Sequence, residues 1–272
     1  MHKRGLRILV ILLVLLLIAG GVWYFFIYEK APILEEGPRE TVRNFLKAAM
    51  EPVGRCLYVY GGGWDEHSYG AAEETKTVGV SPNWEAFFDE NDETYNFERV
   101  SGHYHDGLDC SAFIGYAVYQ VFEDAYSDNG YVVESSNMPE NYAKLFDGEV
   151  IKPSEITEYR PGDIMGIKGH VGIAIGTCED GSLLFVHASP PVVSLCGTPT
   201  PDGNEESQAV ALAEKYMKKY FPECSEKYEN WSRGMSYLTK FRLMRWNREV
   251  LADPDGFDEM TPEEILHRLF ET

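Results

Sequence analysis

Basic residues are scarce in this chain of 272 residues: 24 lysines and arginines stand against 44 aspartates and glutamates, for a formal charge of −20. Such a balance disfavours nucleic acid and anionic lipid surfaces as partners and promotes solubility, although it says nothing about fold. Cysteine is sparse too. Cys56, Cys110, Cys178, Cys196 and Cys224 show no C-x-x-C spacing of a zinc site and are too few for a disulfide scaffold. No Gly-Lys-Ser/Thr follows the "GGGW" at 61–64, which excludes a phosphate loop. Internal repeats and low-complexity tracts are absent.

One long stretch lacks charge altogether. Lys3, Arg4 and Arg7 precede an uncharged run from Ile8 to Tyr28, and about 20 apolar residues suffice for a helix to cross a bilayer. The basic end is expected in the cytoplasm and everything after Tyr28 outside, with Trp23, Tyr24 and Tyr28 in the outer aromatic belt. A cleaved signal peptide ending near Ala19–Gly21 is the competing reading, but the apolar run continues beyond that point. Either way the remainder is exported, with 21 basic against 44 acidic residues. In an exported chain five cysteines leave at least one thiol unpaired, and Cys178 and Cys196, which flank neighbouring strands, are disulfide candidates.

The expected organisation is a cytoplasmic stub and anchor over 1–28, a spacer over 29–37, a main domain over 38–248 and a helical extension over 249–272. A first helix carries Val42, Phe45, Leu46 and Ala49 as its apolar stripe, with Pro38 in its first turn and Pro52 and Gly54 at its end. Residues 63–107 read as an acidic, aromatic insertion beside a cleft, with a short helix that Ser81 caps and Pro82 opens. Phe113, Ile114, Ala117, Val118 and Val121 recur at helical spacing, giving a helix that Asp109 caps and whose first turn holds Cys110. Beyond Pro161 the pattern turns to strands: "DIMGI", "HVGIAIG", "SLLFVHA", "PVVSL" and, after a helix at "EESQAVALAEKYMKKYF", "SYLTKFRLMRW". The C-terminal "TPEEILHRLF" has the form of a capping box. Helix first and antiparallel strands afterwards is an α+β order.

Cys110 stands where backbone N–H groups and the helix dipole favour a thiolate, while the neighbouring Asp109 opposes one, so a partner base is needed. A buried core thiol is the plain alternative. Pairing Ile173 with Val186 and Ile175 with Leu184 sets His187 opposite Gly172 and places His170 on the same face, within side-chain reach. A thiol at a helix start, a histidine, and a second polar group that orients it follow the logic of an activated nucleophile. "HYH" at 103–105 offers only two histidines two apart, too little for zinc, and is read as loop.

"YVYGG" at 58–62, "LDCSAF" at 108–113, "RPGDIM" at 160–165, "GHVGIAIG" at 169–176 and "FVHAS" at 185–189 together resemble the NlpC/P60 family of papain-like cell-wall cysteine peptidases. The resemblance spans about half the chain and implies a papain-like fold in which the cysteine helix packs on an antiparallel sheet carrying the histidines. It further implies Cys110 as nucleophile, His170 as general base and then acid, and His187 as the group that orients His170. Tyr58 would stand in the substrate pocket and assist the oxyanion, and Asp109 and Ser111 would bind the free amine of a peptidoglycan stem peptide. No cofactor or metal is implied. Two departures are Ala112, where the family has glycine, and the 45 residues between Gly62 and Leu108, where it has a few. The rivals are an amidase or acyl transferase on the same fold, and a tethered wall-binding protein without catalysis.

Overall fold

A computed structural model describes residues 39–67, 69–123 and 130–271. The run from Ile8 to Tyr28 lies outside them, and no helix among the described residues is long and apolar enough to cross a membrane. Residues 38–272 form one compact unit.

The first helix, α1 (Val42–Met50), starts at Thr41, whose side chain accepts from Asn44 N, so Thr41 and not Pro38 sets its beginning. Val42, Phe45, Leu46 and Ala49 are buried along one stripe, the spacing that an amphipathic helix requires. Helix α2 (Pro82–Glu90) lies inside the insertion with Ser81 as its cap and Pro82 in its first turn. Helix α3 (Cys110–Phe122) is buried along its whole length, which explains why its apolar residues run on every side and not along one stripe. Helix α4 (Met138–Leu145) and the short strand β1 (Glu149–Ile151) follow; neither announces itself in the sequence, because each is too short for a period to show.

Strands β2 (Ile164–Ile167), β3 (His170–Thr177), β4 (Leu183–Ser189) and β5 (Val192–Gly197) form an antiparallel meander. Helices α5 (Gln208–Tyr220) and α6 (Pro222–Lys227) come next, then α7 (Ser236–Thr239), β6 (Arg242–Arg245) and α8 (Pro262–Phe270). "SYLTKFRLMRW" is therefore half helix and half strand: its first residues turn through α7 before β6 begins. Among the described residues the sheet has six strands in the order β1-β6-β2-β3-β4-β5, and all the pairings are antiparallel. The architecture is α+β.

Each face of the sheet packs its own cluster. Ile173, Ile175, Leu184, Val186 and Ala188 join α1, α3 and α5 in the larger core. Met165, Ala174, Phe185 and Leu243 meet Tyr237 and Phe241 on the other face. Alternation along the strands does this sorting. The expected register holds at Ile173↔Val186, then slips by one residue at a bulge, so that Gly176 and not Ile175 pairs with Leu184.

Residues 249–271 fold into the same core. Leu251, Phe257, Ile265 and Leu266 are buried with α1 and β3, and Thr261 and Glu264 form the expected capping box. The chain's entry is stitched to this segment, since Val42 N–H donates to Ala252 O and Ala252 N–H to Glu40 O, each at 2.9 Å.

"RPGDIM" has a structural task. Asp163 is fully buried and accepts from Arg245 on β6, at 2.7 Å from Nη2, and from Arg160 N at 2.9 Å. Trp246 Nε1–H donates to Gly162 O. The motif thus clasps the start of β2 to β6.

Candidate active site

The segment 57–63 runs beside residues 107–109. Val59 N–H donates to Leu108 O and Asp109 N–H to Gly62 O. A Cβ on Gly62 would lie 2.6 Å from Gly107 O, so only glycine permits this approach. The 45 intervening residues therefore leave and return at neighbouring points. "YVYGG" and "LDC" come to lie side by side, as they would with a short connection.

Asp109 caps α3. Its Oδ1 accepts from Ser111 N (2.9 Å), Ala112 N (2.8 Å) and Ser111 Oγ (2.7 Å). Burial pushes the Asp109 carboxyl up, against the N–H of Ala112 and the Ser111 groups that hold it down. Ser111 Oγ also accepts from Trp64 Nε1–H at 3.1 Å. Both residues that the resemblance assigns to a substrate amine are thus engaged within the first turn of α3, and Trp64, from the insertion, covers Ser111. Trp84 is in the core, edge-on to Tyr116 at 5.2 Å, and does not line the cleft.

The Cys110 thiol lies against the beginning of β3. Its hydrogen bond goes to Gly169 O at 3.9 Å, and the N–H of Val171 also favours its thiolate. Gly169, at φ +91°, makes the tight turn from β2 into β3, and so sets the carbonyl that the sulfur meets. Burial, followed by the charge of Asp109, pushes the thiol up to about 12.

His170 and His187 share the sheet face opposite α3, as alternation from Ala174 and Phe185 requires. His170 Nε2 lies 2.9 Å from His187 Nδ1. His170 is half-buried, and desolvation, aided by the charge of Arg233, brings it down to about 4. His187 is fully buried and held well below the ordinary imidazole value by desolvation, then by His170 and Arg233. The expected pairing of the histidines is present. Nε2 of His170 is taken by His187, which leaves Nδ1 for the thiol, but Cys110 donates no hydrogen bond to either ring among the described residues. Cysteine and histidines flank the same end of β3 from opposite faces, and all three are uncharged at rest.

Three neighbours of His187 were not evident from the sequence. Arg233 Nε–H donates to His187 Nε2 at 3.2 Å, Tyr237 Oη lies 3.1 Å from Nδ1, and Cys196 Sγ lies 3.5 Å from Nε2. Arg233 and Tyr237 arrive on the segment after α6, which Gly197 N–H→Trp231 O and Arg233 N–H→Gly197 O fasten to the end of β5. No local pattern at "WSRGMSY" signals this, since the pairing is made over a long chain separation. Cys196 and Cys178 are both free thiols; β4 separates their strands, and they belong to clusters on opposite sheet faces.

Tyr58 is half-buried. Its ring stands edge-on to Phe97 at 5.4 Å, its N–H donates to Pro191 O, and its carbonyl accepts from Tyr95 Oη–H at 2.7 Å. Burial, then the charges of Cys110 and Asp109, raises its hydroxyl, which places that hydroxyl in the field of the thiol. Beside it, Glu93, Tyr95, Phe97, Pro191 and Tyr228 are among the residues that line a cavity of about 400 Å³. The insertion supplies three of these five residues.

The remaining histidine pair is occupied at the surface. His103 Nδ1 lies 2.8 Å from Asp106 and His105 Nδ1 3.0 Å from Glu74. Among the described residues no group of three or more His, Cys, Asp or Glu side chains is placed to hold a metal.

Compared with known proteins, the chain matches no family model, no curated protein and no solved structure.

Proposed function

We propose that this chain is a cysteine peptidase of the NlpC/P60 type, held in the membrane by residues 8–28 with its catalytic unit outside the cell. Its substrate is the stem peptide of peptidoglycan, cut near the bond between γ-D-glutamate and the diamino acid. One observation carries the reading: a cysteine in the first turn of a buried helix is set against the strand end that bears His170, and His170 is joined through Nε2 to His187 at 2.9 Å. Four of the five motifs, far apart in sequence, lie around that point, and the fifth, "RPGDIM", holds β2 to β6.

In this mechanism His170 Nδ1 takes the proton from Cys110 Sγ, and the thiolate attacks the amide carbonyl carbon. The Cys110 N–H, with the Tyr58 hydroxyl, steadies the negative oxygen that develops. The C–N bond breaks as His170 returns its proton to the leaving amine. Water then gives a proton to His170, its oxygen attacks the thioester, and the thiol is restored. No cofactor takes part.

A second reading, a tethered wall-binding protein without catalysis, draws on the uncharged rest state: a thiol pushed up to about 12 beside an imidazole brought down to about 4. The two separate by incubating the protein and its Cys110→Ala variant with peptidoglycan and defined stem peptides, with products identified by mass spectrometry. Cysteine-dependent cleavage after γ-D-glutamate is the expected result. Cleavage at the sugar-peptide amide would instead indicate an amidase. Identical, product-free spectra from both proteins would leave the binding role.

A further inference from the structure

We infer that Arg233 is a positioning residue that dictates which nitrogens of the histidine pair carry protons, and that it holds the pair in the arrangement in which His170 cannot accept the proton of Cys110. The inference rests on the reading of Cys110 and His170 as nucleophile and base.

The argument runs through three contacts. An arginine Nε–H only donates and does not lose its proton in proteins, so His187 Nε2, at 3.2 Å from it, must be bare. A fully buried, neutral His187 then carries its proton on Nδ1. That N–H faces His170 Nε2 at 2.9 Å and Tyr237 Oη at 3.1 Å. Whichever of the two it favours, a second N–H cannot point back at it across 2.9 Å, so His170 Nε2 is bare as well. A neutral His170 then has its proton on Nδ1, the nitrogen that remains for the thiol. To act as base, His170 must instead carry Nε2–H, His187 must accept on Nδ1, and His187 Nε2 must gain a proton that would confront the Arg233 N–H. The guanidinium has to withdraw first.

Arg233 is well held where it is. Its Nη1 donates to Asn230 O and Ser232 O, each at 2.9 Å, and its backbone N–H to Gly197 O. No carboxylate pairs with it among the described residues, so its charge acts on the imidazoles undiminished. The other groups that face the pair do not fix the protons. Cys196 Sγ on β5, itself 3.3 Å from Ser194 Oγ, can donate to Nε2 or accept from it. Tyr237 on α7 can do either at Nδ1. Phe185 on β4 and Phe241 before β6 present ring edges. Arg233 is the one fixed donor and the one charge among them.

The test uses protein labelled with ¹⁵N-histidine, whose imidazole nitrogens report protonated or bare states directly, with His170→Gln and His187→Gln for assignment. The expected spectrum at neutral pH has protonated Nδ1 and bare Nε2 on both rings. In Arg233→Met, His187 Nε2 gains proton occupancy, and alkylation of Cys110 by iodoacetamide, followed by peptide mass mapping, becomes about tenfold faster near neutrality, its pH profile moving down by about one unit. Arg233→Lys keeps a cation that only donates and should retain the wild-type profile. A wild-type spectrum with protonated Nε2 on His187 overturns the inference, as does an Arg233→Met alkylation profile that overlays wild type. If Arg233→Met does not fold, the wild-type spectrum decides alone. None of these readouts requires peptide cleavage, so the inference survives an inert hydrolysis assay, and the peptidase reading survives the wrong tautomer.

Discussion

Replacing His170 with glutamine should flatten the acid limb of the stability curve. The unfolded imidazole titrates near 6.5, whereas the folded one is brought down to about 4. Between those values the unfolded chain binds a proton that the folded one refuses, so stability falls as pH falls through this window and is level above it. From these two values, His170 alone costs about 2 kcal/mol on going from about pH 7.5 to about pH 5. His187, shifted in the same direction, adds to the loss. Glu51, Asp109 and Asp163, raised by burial, act the other way, because their folded forms bind protons more readily. The difference between two proteins cancels the carboxylates, while loss of His170, which helps hold His187 down, relieves part of the His187 shift and widens the gap. Urea unfolding of wild type and His170→Gln at both pH values should show wild type losing about 2 kcal/mol or more relative to the variant at the acid end. Any fixed cost of the substitution itself appears equally at both pH values and drops out. Parallel pH dependences would mean that the folded imidazole titrates normally, and the neutral pair would be refuted.

Two other substitutions probe the frame around the site. Arg245→Met leaves Asp163 buried without its partner and should destabilise by about 3 kcal/mol or more in denaturant unfolding; a loss below about 1 kcal/mol would show the carboxyl to be neutral already. Trp64→Phe removes the N–H that caps Ser111, with an expected cost of about 1 kcal/mol and, in steady-state kinetics on a stem peptide, a change in KM with kcat kept; a fall in kcat alone would place Trp64 with the chemistry instead.

Much of the site was legible because it is written in local signals. Asp109 caps α3 since an aspartate ahead of an apolar helix accepts its first free N–H groups, and that fixes Cys110 in the first turn. The His170–His187 meeting follows from the alternation in β3 and β4, and the Ile173↔Val186 register that sets it is present. Where the bulge displaced Ile175, the histidines were spared, because they lie on the other side of Ile173 from it. Arg233 was hidden for the opposite reason: it reaches His187 through a bridge between Gly197 and Ser232, and no periodicity in "WSRGMSY" records a contact made 46 residues away. The insertion concealed its main anchor likewise, since Trp84 at helical spacing does not say whether it faces a cleft or the core.

The zipper between residues 40–42 and Ala252 would acquire a mechanical meaning under the proposed membrane anchoring. A pull on the chain ahead of Arg39 would meet at once the two backbone hydrogen bonds to Ala252 and the Arg43–Asp255 ion pair at 3.6 Å. A second path runs through Arg39 to Glu123 at the C-terminal end of α3. Cys110 stands at the opposite end of that 13-residue helix, about 20 Å away. Were the proposed anchor to pull on the folded unit, the load would fall first on the clasp between residues 40–42 and Ala252, and the strands that hold the histidines would lie out of its line.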